Sequence, residues 1–300
     1  MNANSRISIP ISVAQHDVGF AATIIGNNGR DAGGQKINSE MQSRIYRLRM
    51  WDCRIQSSRD RNLRQAFNKL DVLKHKLGIL MRNSTVLTNS EFSRRAIFDA
   101  FGIDNTHILS PPIDIDTFRN DELLSERHDY KRKDIILVIS RIDPYKRIES
   151  AIRLAKILKN KNIGTGMKIV GNLYDYDFDC YSKLKQMVID LGLTDYVTFE
   201  INANLDKLLS IMRQSKVYFH PAIGEHFGMA ILEAMAAGLI PIVPNKGGPT
   251  EFVPQQYQFN TLEQAAEIIS CAFSQPYLER VKISNSVNRF STSHYIKGFQ

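Results

Sequence analysis

Cysteine is scarce in this chain of 300 residues, which contains only Cys53, Cys180 and Cys271. The three residues lie far apart, their number is odd, and no pair has the spacing of metal ligands. The sequence therefore argues against a disulfide framework and against a cysteine-based metal site. We expect reduced thiols, buried or without a role.

Long apolar runs are also absent. No stretch reaches the roughly 18 consecutive apolar residues of a membrane-spanning helix. Residues 1–6 are polar, and no apolar core of a secretory signal follows them. A composition of 43% hydrophobic and 23% charged residues is that of an ordinary globular protein. These features predict a cytoplasmic protein.

Acidic residues are few in the basic segment, residues 44–82. It contains eleven Lys and Arg but only three Asp, so its formal charge equals the +8 of the whole chain. An anionic partner should therefore meet this segment. Two interpretations stay open: peripheral attachment to the anionic cytoplasmic face of a membrane, or a solvated helix face. Nucleic-acid binding is not expected, because few aromatic residues lie among these cations.

The first part of the chain, residues 1–115, is predicted to be a small domain. Its strands are expected in four short apolar segments: 6–13, 20–26, 85–88 and 107–110. Apolar residues at helical spacing predict a broken helix over 43–81, and a further helix is expected at 91–101. Residues 116–133 are polar and charged, which is typical of a linker.

The second part, residues 134–276, alternates apolar strands with helices. The expected strands are 135–139, 167–170, 197–199, 217–220 and 239–243, and the expected helices are 144–158, 180–191, 205–213, 229–237 and 262–273. This alternation predicts an α/β fold with a parallel sheet covered on both faces. Ligands of such sheets bind at the carboxyl ends of the strands. Residues 277–300 should supply a helix that crosses back to the first domain.

The segment Gly224-Glu225-His226-Phe227-Gly228-Met229 lies between the strand ending at His220 and the helix from 229. The first N–H groups of that helix have no intrahelical partners, so they suit a diphosphate. Gly228 permits a close approach to the backbone. Glu233 is a lone carboxylate in an apolar helix, and ribose hydroxyls could supply the donors it needs. The alternative is that Glu233 is the one position that faces solvent.

A second candidate segment follows the strand 135–139 and contains Arg141, Lys146 and Arg147. Cations are unfavourable at a helix N-terminus, which indicates that something anionic lies there. Arg141 can bind two phosphate oxygens, while Lys146 acts as a point charge. A solvated basic turn is the alternative.

The acidic run Asp175, Asp177 and Asp179 invites a metal interpretation, but it lacks the Gly and Glu of a calcium loop. We expect a solvated loop that caps the next helix.

These motifs resemble the retaining glycosyltransferases of family 4, over about residues 84–290. Glu225 and Glu233 resemble the family's E-x7-E signature, and Arg141 and Lys146 match its phosphate-binding Arg and Lys. Residues 89–92 and 110–114 resemble the end of the family's first domain, and residues 247–251 resemble its loop near the donor sugar. The Glu-His-Phe-Gly version is most similar to the mannosyltransferases that extend lipid-linked oligosaccharides with GDP-mannose.

The resemblance implies a GT-B-like fold of two Rossmann-like domains, and transfer of a sugar with retention of configuration. The donor would be a GDP- or UDP-linked sugar, and the acceptor a glycan or a lipid-linked glycan. No metal or other cofactor is implied. The catalytic residues would be Glu225, Arg141 and Lys146, and the other donor-binding residues would be His226, Phe227, Gly228, Met229 and Glu233.

The resemblance is weakest in the first domain. A Rossmann half needs well over ~100 residues, and only four strands are predicted before Pro111. The family's His-bearing stretch has no clear counterpart, since His16 and His75 are both poor candidates. We therefore expect a reduced or truncated first domain. A nucleotide-sugar-binding protein without transfer activity is the alternative function.

Overall fold

The computed structural model describes residues 8–15, 18–25, 84–119 and 131–299, together with six residues of the segment 75–82. The chain divides into two compact units, Met1–Ser110 and Pro111–Gln300. Most of the basic segment lies outside the described residues, so its helix and its attachment to membranes stay predictions. The domain boundaries at 115, 133 and 276 also stay predictions.

The first unit contains a mixed four-stranded sheet with the order β1-β2-β3-β4. Its strands are β1 Ser8–Gln15, β2 Val18–Ile25, β3 Thr85–Thr88 and β4 Thr106–Ile108. The pairs β1–β2 and β2–β3 are antiparallel, whereas β3 and β4 are parallel. All four strands were expected, and their ends are shifted by two residues or fewer.

Helix α1, Glu91–Phe101, connects the parallel strands β3 and β4. The hydroxyl of Ser90 caps the helix by accepting a hydrogen bond from the Ser93 N–H at 3.0 Å. Gly102 ends it in the left-handed conformation, at φ 63°. Ser93, Ile97 and Phe101 are buried because the four-residue spacing puts them on one face.

The second unit contains a parallel six-stranded sheet with the order β10-β9-β8-β5-β6-β7. Its strands are β5 Lys133–Ile139, β6 Gly166–Gly171, β7 Val197–Ile201, β8 Ser215–Phe219, β9 Ile240–Pro244 and β10 Gln258–Phe259. Ile136, Leu137 and Val138 of β5 are all fully buried, as expected for a strand covered on both faces. The predicted α/β arrangement of this unit is therefore present.

Helices cover this sheet and continue to the end of the chain. They are α2 Ile115–Phe118, α3 Ile148–Asn160, α4 Phe178–Asp190, α5 Leu205–Gln214, α6 Met229–Ala236, α7 Leu262–Phe273, α8 Tyr277–Ser286 and α9 Thr292–Phe299. Short 3-10 turns are found at Pro144–Lys146, Asp175–Asp177, Gly248–Glu251, Gln255–Tyr257 and Val287–Phe290. Within the described ranges, no helix has the length and apolarity needed to cross a bilayer.

The strand order reverses at β5. The chain passes from β5 to β6 and β7 on one side, and then returns to β8 on the other side of β5. Such a reversal opens a crevice at the carboxyl ends of the two central strands, where α/β sheets bind ligands. The loops that follow β5 and β8 carry Lys146 and Glu225.

Buried polar contacts anchor the C-terminal end of helix α6. The Arg132 guanidinium, 5% exposed, donates to the carbonyl oxygens of Ala237 and Ser215 at 2.8 and 2.7 Å. The Ser284 hydroxyl on α8 donates to the carbonyl oxygen of Ala236 at 2.7 Å. Because these bonds fix the far end of the helix, its N-terminus has a defined position after β8.

Candidate functional site

Lys146 and Glu225, 79 residues apart in sequence, meet where the loops after β5 and β8 come together. Nζ of Lys146 donates to Oε2 of Glu225 at 2.7 Å. The Lys146 and Glu225 side chains are 27% and 18% exposed. Two of the three predicted catalytic residues thus form a partly buried ion pair at the strand reversal.

The backbone of Glu225 is clamped against the loop that follows β9. The Gly248 N–H donates to the Glu225 carbonyl oxygen at 2.8 Å, and Glu225 pairs with Gly247 as a parallel bridge. Gly247 has φ 118°, and a Cβ at this position would lie 2.7 Å from that carbonyl oxygen. Only glycine fits this contact, so the Gly-Gly-Pro segment supports the position of Glu225.

The surroundings of Glu225 keep its side chain ionised. Burial alone would raise the pKa of this carboxyl, but its neighbours His220 and Lys146 lower the pKa well below its usual range. The backbone N–H of His226 also donates to Oε1 at 3.2 Å. The site therefore presents a fixed negative charge beside a cation.

Tyr218 and His220 on the β8 side of the site form a buried polar pair behind Glu225. The two side chains are 0% and 5% exposed, and Tyr218 Oη lies 3.3 Å from His220 Nδ1. Nε2 of His220 lies 3.6 Å from Oε2 of Glu225. The sequence suggested no role for Tyr218, although its two-residue spacing from His220 on a strand places both on one face.

Arg141 lies in the same loop as Lys146 but among acidic side chains. Its Nη2 is 4.0 Å from Oδ2 of Asp143. The pKa of Asp177 is raised by burial and by the charge of Asp143, and the Arg141 charge opposes that shift. Arg141 is exposed, so its guanidinium is accessible from solvent. Its predicted contact with phosphate stays a prediction.

The N-terminus of helix α6 has no side-chain cap. Its N-cap, Gly228, has φ 96°, and a Cβ there would lie 2.5 Å from Cδ1 of Ile231. Met229, the first helical residue, is 39% exposed. An open, uncapped N-terminus of this kind attracts anions, because its N–H groups and the helix dipole point outward.

Glu233 is half-buried on α6. Across the described ranges, no side chain or backbone group forms a hydrogen bond or ion pair with its carboxylate. Burial raises the pKa of this carboxyl. Burial and the charges of both Glu225 and Glu233 raise the pKa of Tyr218, so both carboxylates act on the same phenol. Glu233 is therefore partly shielded from solvent, and its predicted contact with ribose hydroxyls stays a prediction.

The aromatic ring of Phe227 belongs to the core. It packs against Phe252 and Phe290 with ring centroids 5.6 Å apart in each case. A donor could therefore meet Phe227 only through its backbone. His226 is half-buried, and its backbone N–H donates to the Glu225 carboxylate.

The predicted capping by the acidic run is wrong. Asp175–Asp177 forms a 3-10 turn, and Asp177 precedes α4 without a side-chain hydrogen bond to the helix. Among the described residues, no group of three His, Cys, Asp or Glu is arranged to ligate a metal ion.

Residues 120–276 match the family Glycosyl transferases group 1. The chain is 30% identical over 214 residues to the GDP-Man:Man(3)GlcNAc(2)-PP-Dol alpha-1,2-mannosyltransferase of Dictyostelium discoideum, covering 66% of this chain and 42% of that protein. It is 28% identical to the human enzyme of the same name, covering 71% of this chain and 46% of the human protein. The chain thus spans less than half the length of these relatives.

Solved structures show the same architecture. Anabaena HepE, solved with UDP and glucose, superposes with a TM-score of 0.65 at 19% identity, covering 77% of this chain and 65% of HepE. Sucrose-phosphate synthase of Thermosynechococcus elongatus gives a TM-score of 0.64 at 17% identity, covering 76% and 60% of the two chains. The predicted resemblance and the predicted GT-B-like α/β fold are thereby confirmed, and the chain belongs to the group 1 glycosyltransferase family.

Proposed function

We propose that the second unit binds a nucleotide sugar and that the chain transfers the sugar, with retention, to a glycan or lipid-linked acceptor. GDP-mannose is the proposed donor, because the relatives named above are GDP-mannose-dependent mannosyltransferases. One observation carries the proposal. An ionised Glu225, paired with Lys146, lies in the loop that leads into the uncapped N-terminus of α6.

The proposed chemistry follows from where charge develops. As the bond between the sugar and the diphosphate breaks, negative charge grows on the departing diphosphate and positive charge on the sugar. Lys146 has three N–H donors, and one of them binds Glu225. The other two, with the α6 amides and the Arg141 guanidinium, can stabilise the diphosphate. Glu225 can stabilise the sugar.

Glu233 completes the proposed donor site. Its carboxylate lies one helical turn beyond Met229, close enough to the α6 N-terminus for a single ligand to reach both. Vicinal ribose hydroxyls would supply the hydrogen bonds that the carboxylate lacks. Base, diphosphate and sugar would then lie along the carboxyl edge of the sheet.

A second candidate function is donor binding without transfer. All the predicted donor-binding residues lie in the second unit, Pro111–Gln300, while the family's His-bearing stretch has no clear counterpart in the first part of the sequence. Transfer needs acceptor and donor to be aligned, so binding could persist where transfer does not.

Calorimetry of the whole chain with GDP, UDP, GDP-mannose and UDP-glucose tests the donor site. We expect GDP and GDP-mannose to bind and the corresponding uridine compounds to bind more weakly. Release of GDP in the presence of a dolichol-diphosphate-linked mannosyl acceptor then separates the two candidate functions. If none of the four compounds binds, both are wrong.

Replacing Lys146 should weaken the binding of the diphosphate GDP without weakening the binding of the nucleoside. Lys146→Met is expected to reduce GDP affinity by about 1.5–3 kcal/mol, the scale of a hydrogen bond to a charged group, and to leave guanosine affinity unchanged. Titrations of both compounds measure the difference. Lys161→Met, which removes an exposed lysine beyond α3, is the control. Equal losses for guanosine and GDP would show that Lys146 does not meet the phosphates.

A further inference from the structure

His220 has a buried ring nitrogen that faces the Glu225 carboxylate without forming a hydrogen bond. The side chain is 5% exposed, and Nε2 has no hydrogen-bond partner among the residues that the structure describes. An unpaired buried polar atom costs free energy comparable to a lost hydrogen bond. Such an atom beside the candidate donor site is a place where a bound ligand would form the missing hydrogen bond.

Tyr218 fixes the orientation of this ring. Its hydroxyl lies 3.3 Å from His220 Nδ1 and also 3.3 Å from the carbonyl oxygen of Ile139, at the end of β5. The phenol has one proton for these two acceptors. The Glu225 carboxylate, 3.6 Å from Nε2, favours the tautomer that carries its proton on Nε2. In that tautomer Nδ1 is an acceptor, and Tyr218 donates to it rather than to the Ile139 carbonyl oxygen.

The charged neighbour of Nε2 is the Glu225 carboxylate. Nε2 and Oε2 of Glu225 are 3.6 Å apart, which is too long for a hydrogen bond. One oxygen atom can lie about 2.8 Å from both atoms, a normal hydrogen-bond distance. Oε2 of Glu225 accepts and Nε2–H donates, so the oxygen between them must both donate and accept. A hydroxyl group does this.

We propose that Nε2 of His220 and Oε2 of Glu225 together bind one hydroxyl of the donor sugar, so that His220 helps to select the sugar. The inference rests on the proposed function and adds to it a specific contact. The chain of donors runs from the Tyr218 hydroxyl to Nδ1, from Nε2–H to the sugar oxygen, and from the sugar hydroxyl to Glu225. Tyr218 is then a positioning residue, since it acts only through His220.

The ionised state of Glu225 supports this assignment. Its lowered pKa keeps both oxygens available as acceptors. Lys146 donates to the same Oε2, and a carboxylate oxygen has lone pairs for two donors. A sugar that lacks the hydroxyl, or carries it with the opposite configuration, would leave His220 and Glu225 incompletely bonded.

Calorimetry with GDP, GDP-mannose and singly deoxygenated GDP-mannoses, one for each sugar hydroxyl, tests the proposal. Wild-type protein should bind one deoxygenated donor about 10- to 100-fold more weakly than GDP-mannose. His220→Leu should bind GDP-mannose more weakly than wild type does, by the same factor. It should bind that deoxygenated donor and GDP with wild-type affinity. His220→Gln, which retains an N–H donor, should recover part of the loss, and Tyr218→Phe should show a smaller loss than His220→Leu.

His107→Leu, an exposed histidine on β4, is the control and should bind every compound as wild type does. If His220→Leu loses affinity for GDP and GDP-mannose equally, the role of His220 is structural and the proposal is overturned. If that variant does not fold, the wild-type series still decides, because equal affinity for all deoxygenated donors also overturns it. Wild-type protein that binds neither GDP nor UDP would instead overturn the proposed function itself.

Discussion

Glu225→Gln is expected to lower kcat for mannose transfer from GDP-mannose by about 100-fold to 1000-fold, the range for losing one preorganised electrostatic group. Glutamine keeps the shape of the side chain but removes the negative charge that would stabilise the sugar as its bond to the diphosphate breaks. The measurement is the initial rate of GDP release at saturating donor, with and without acceptor.

The affinity for GDP separates this role from a structural one. Without the carboxylate, the Lys146 ammonium no longer has its 2.7 Å partner, so its charge is fully available to the diphosphate. GDP should therefore bind Glu225→Gln at least as tightly as wild type. Glu263→Gln, at an exposed position in the first turn of α7, should leave rate and affinity unchanged. A variant at position 225 that retains kcat would remove Glu225 from the mechanism.

The second unit was predictable where local sequence alone decides the structure. The apolar run of β5 required burial on both faces, and its central residues are fully buried. Helix α7 has its predicted bounds. Thr261, the N-cap residue, defines its start, because the Thr261 hydroxyl accepts a hydrogen bond from the Gln264 N–H. Continuous apolar strands and capped helices are local signals, and they do not depend on the rest of the chain.

The start of α3 shows where local signals fail. The sequence predicted a helix from Pro144, but a 3-10 turn ends at Lys146 and the helix begins at Ile148. Between them Arg147 adopts φ 54°, a left-handed conformation that is uncommon for a residue other than glycine. Lys146, the last residue of this turn, contacts Glu225. The two-residue strand β10 was also missed, because so short a segment has no periodicity.

The residues of the candidate site could be proposed from the sequence, but their contacts could not. The family resemblance supplied Lys146 and Glu225, yet no local rule predicts an ion pair between residues 79 positions apart. Tyr218 was missed for a related reason. In a strand buried on both faces, a polar side chain has no apolar–polar alternation to mark it. Only the packed structure shows that its hydroxyl lies within hydrogen-bond distance of His220, behind the Glu225 carboxylate.

Glu233→Gln should weaken nucleotide binding and stabilise the unliganded fold at the same time. If the carboxylate accepts from ribose hydroxyls, GDP and guanosine should both lose about 1–3 kcal/mol of binding free energy. The shared loss distinguishes this variant from Lys146→Met, which should affect GDP alone. GDP analogues that lack a ribose hydroxyl should bind wild type and variant with similar affinity.

The stability effect follows from the direction of the pKa shift. Burial raises the pKa of Glu233 in the folded chain above its ordinary value, so the folded state binds its proton more tightly than the unfolded state does. The contribution of Glu233 to stability is therefore greatest below the unfolded pKa and falls as pH rises through the folded one. Glutamine does not titrate, so it contributes no such pH dependence.

Thermal unfolding from acid to neutral pH should show Glu233→Gln gaining stability relative to wild type as pH rises. Saturating GDP should reverse the order at neutral pH, because the ribose hydroxyls could donate to two charged oxygens of the carboxylate but to only one neutral oxygen of glutamine. A variant that is less stable than wild type without ligand would mean that Glu233 already has its partners in the protein.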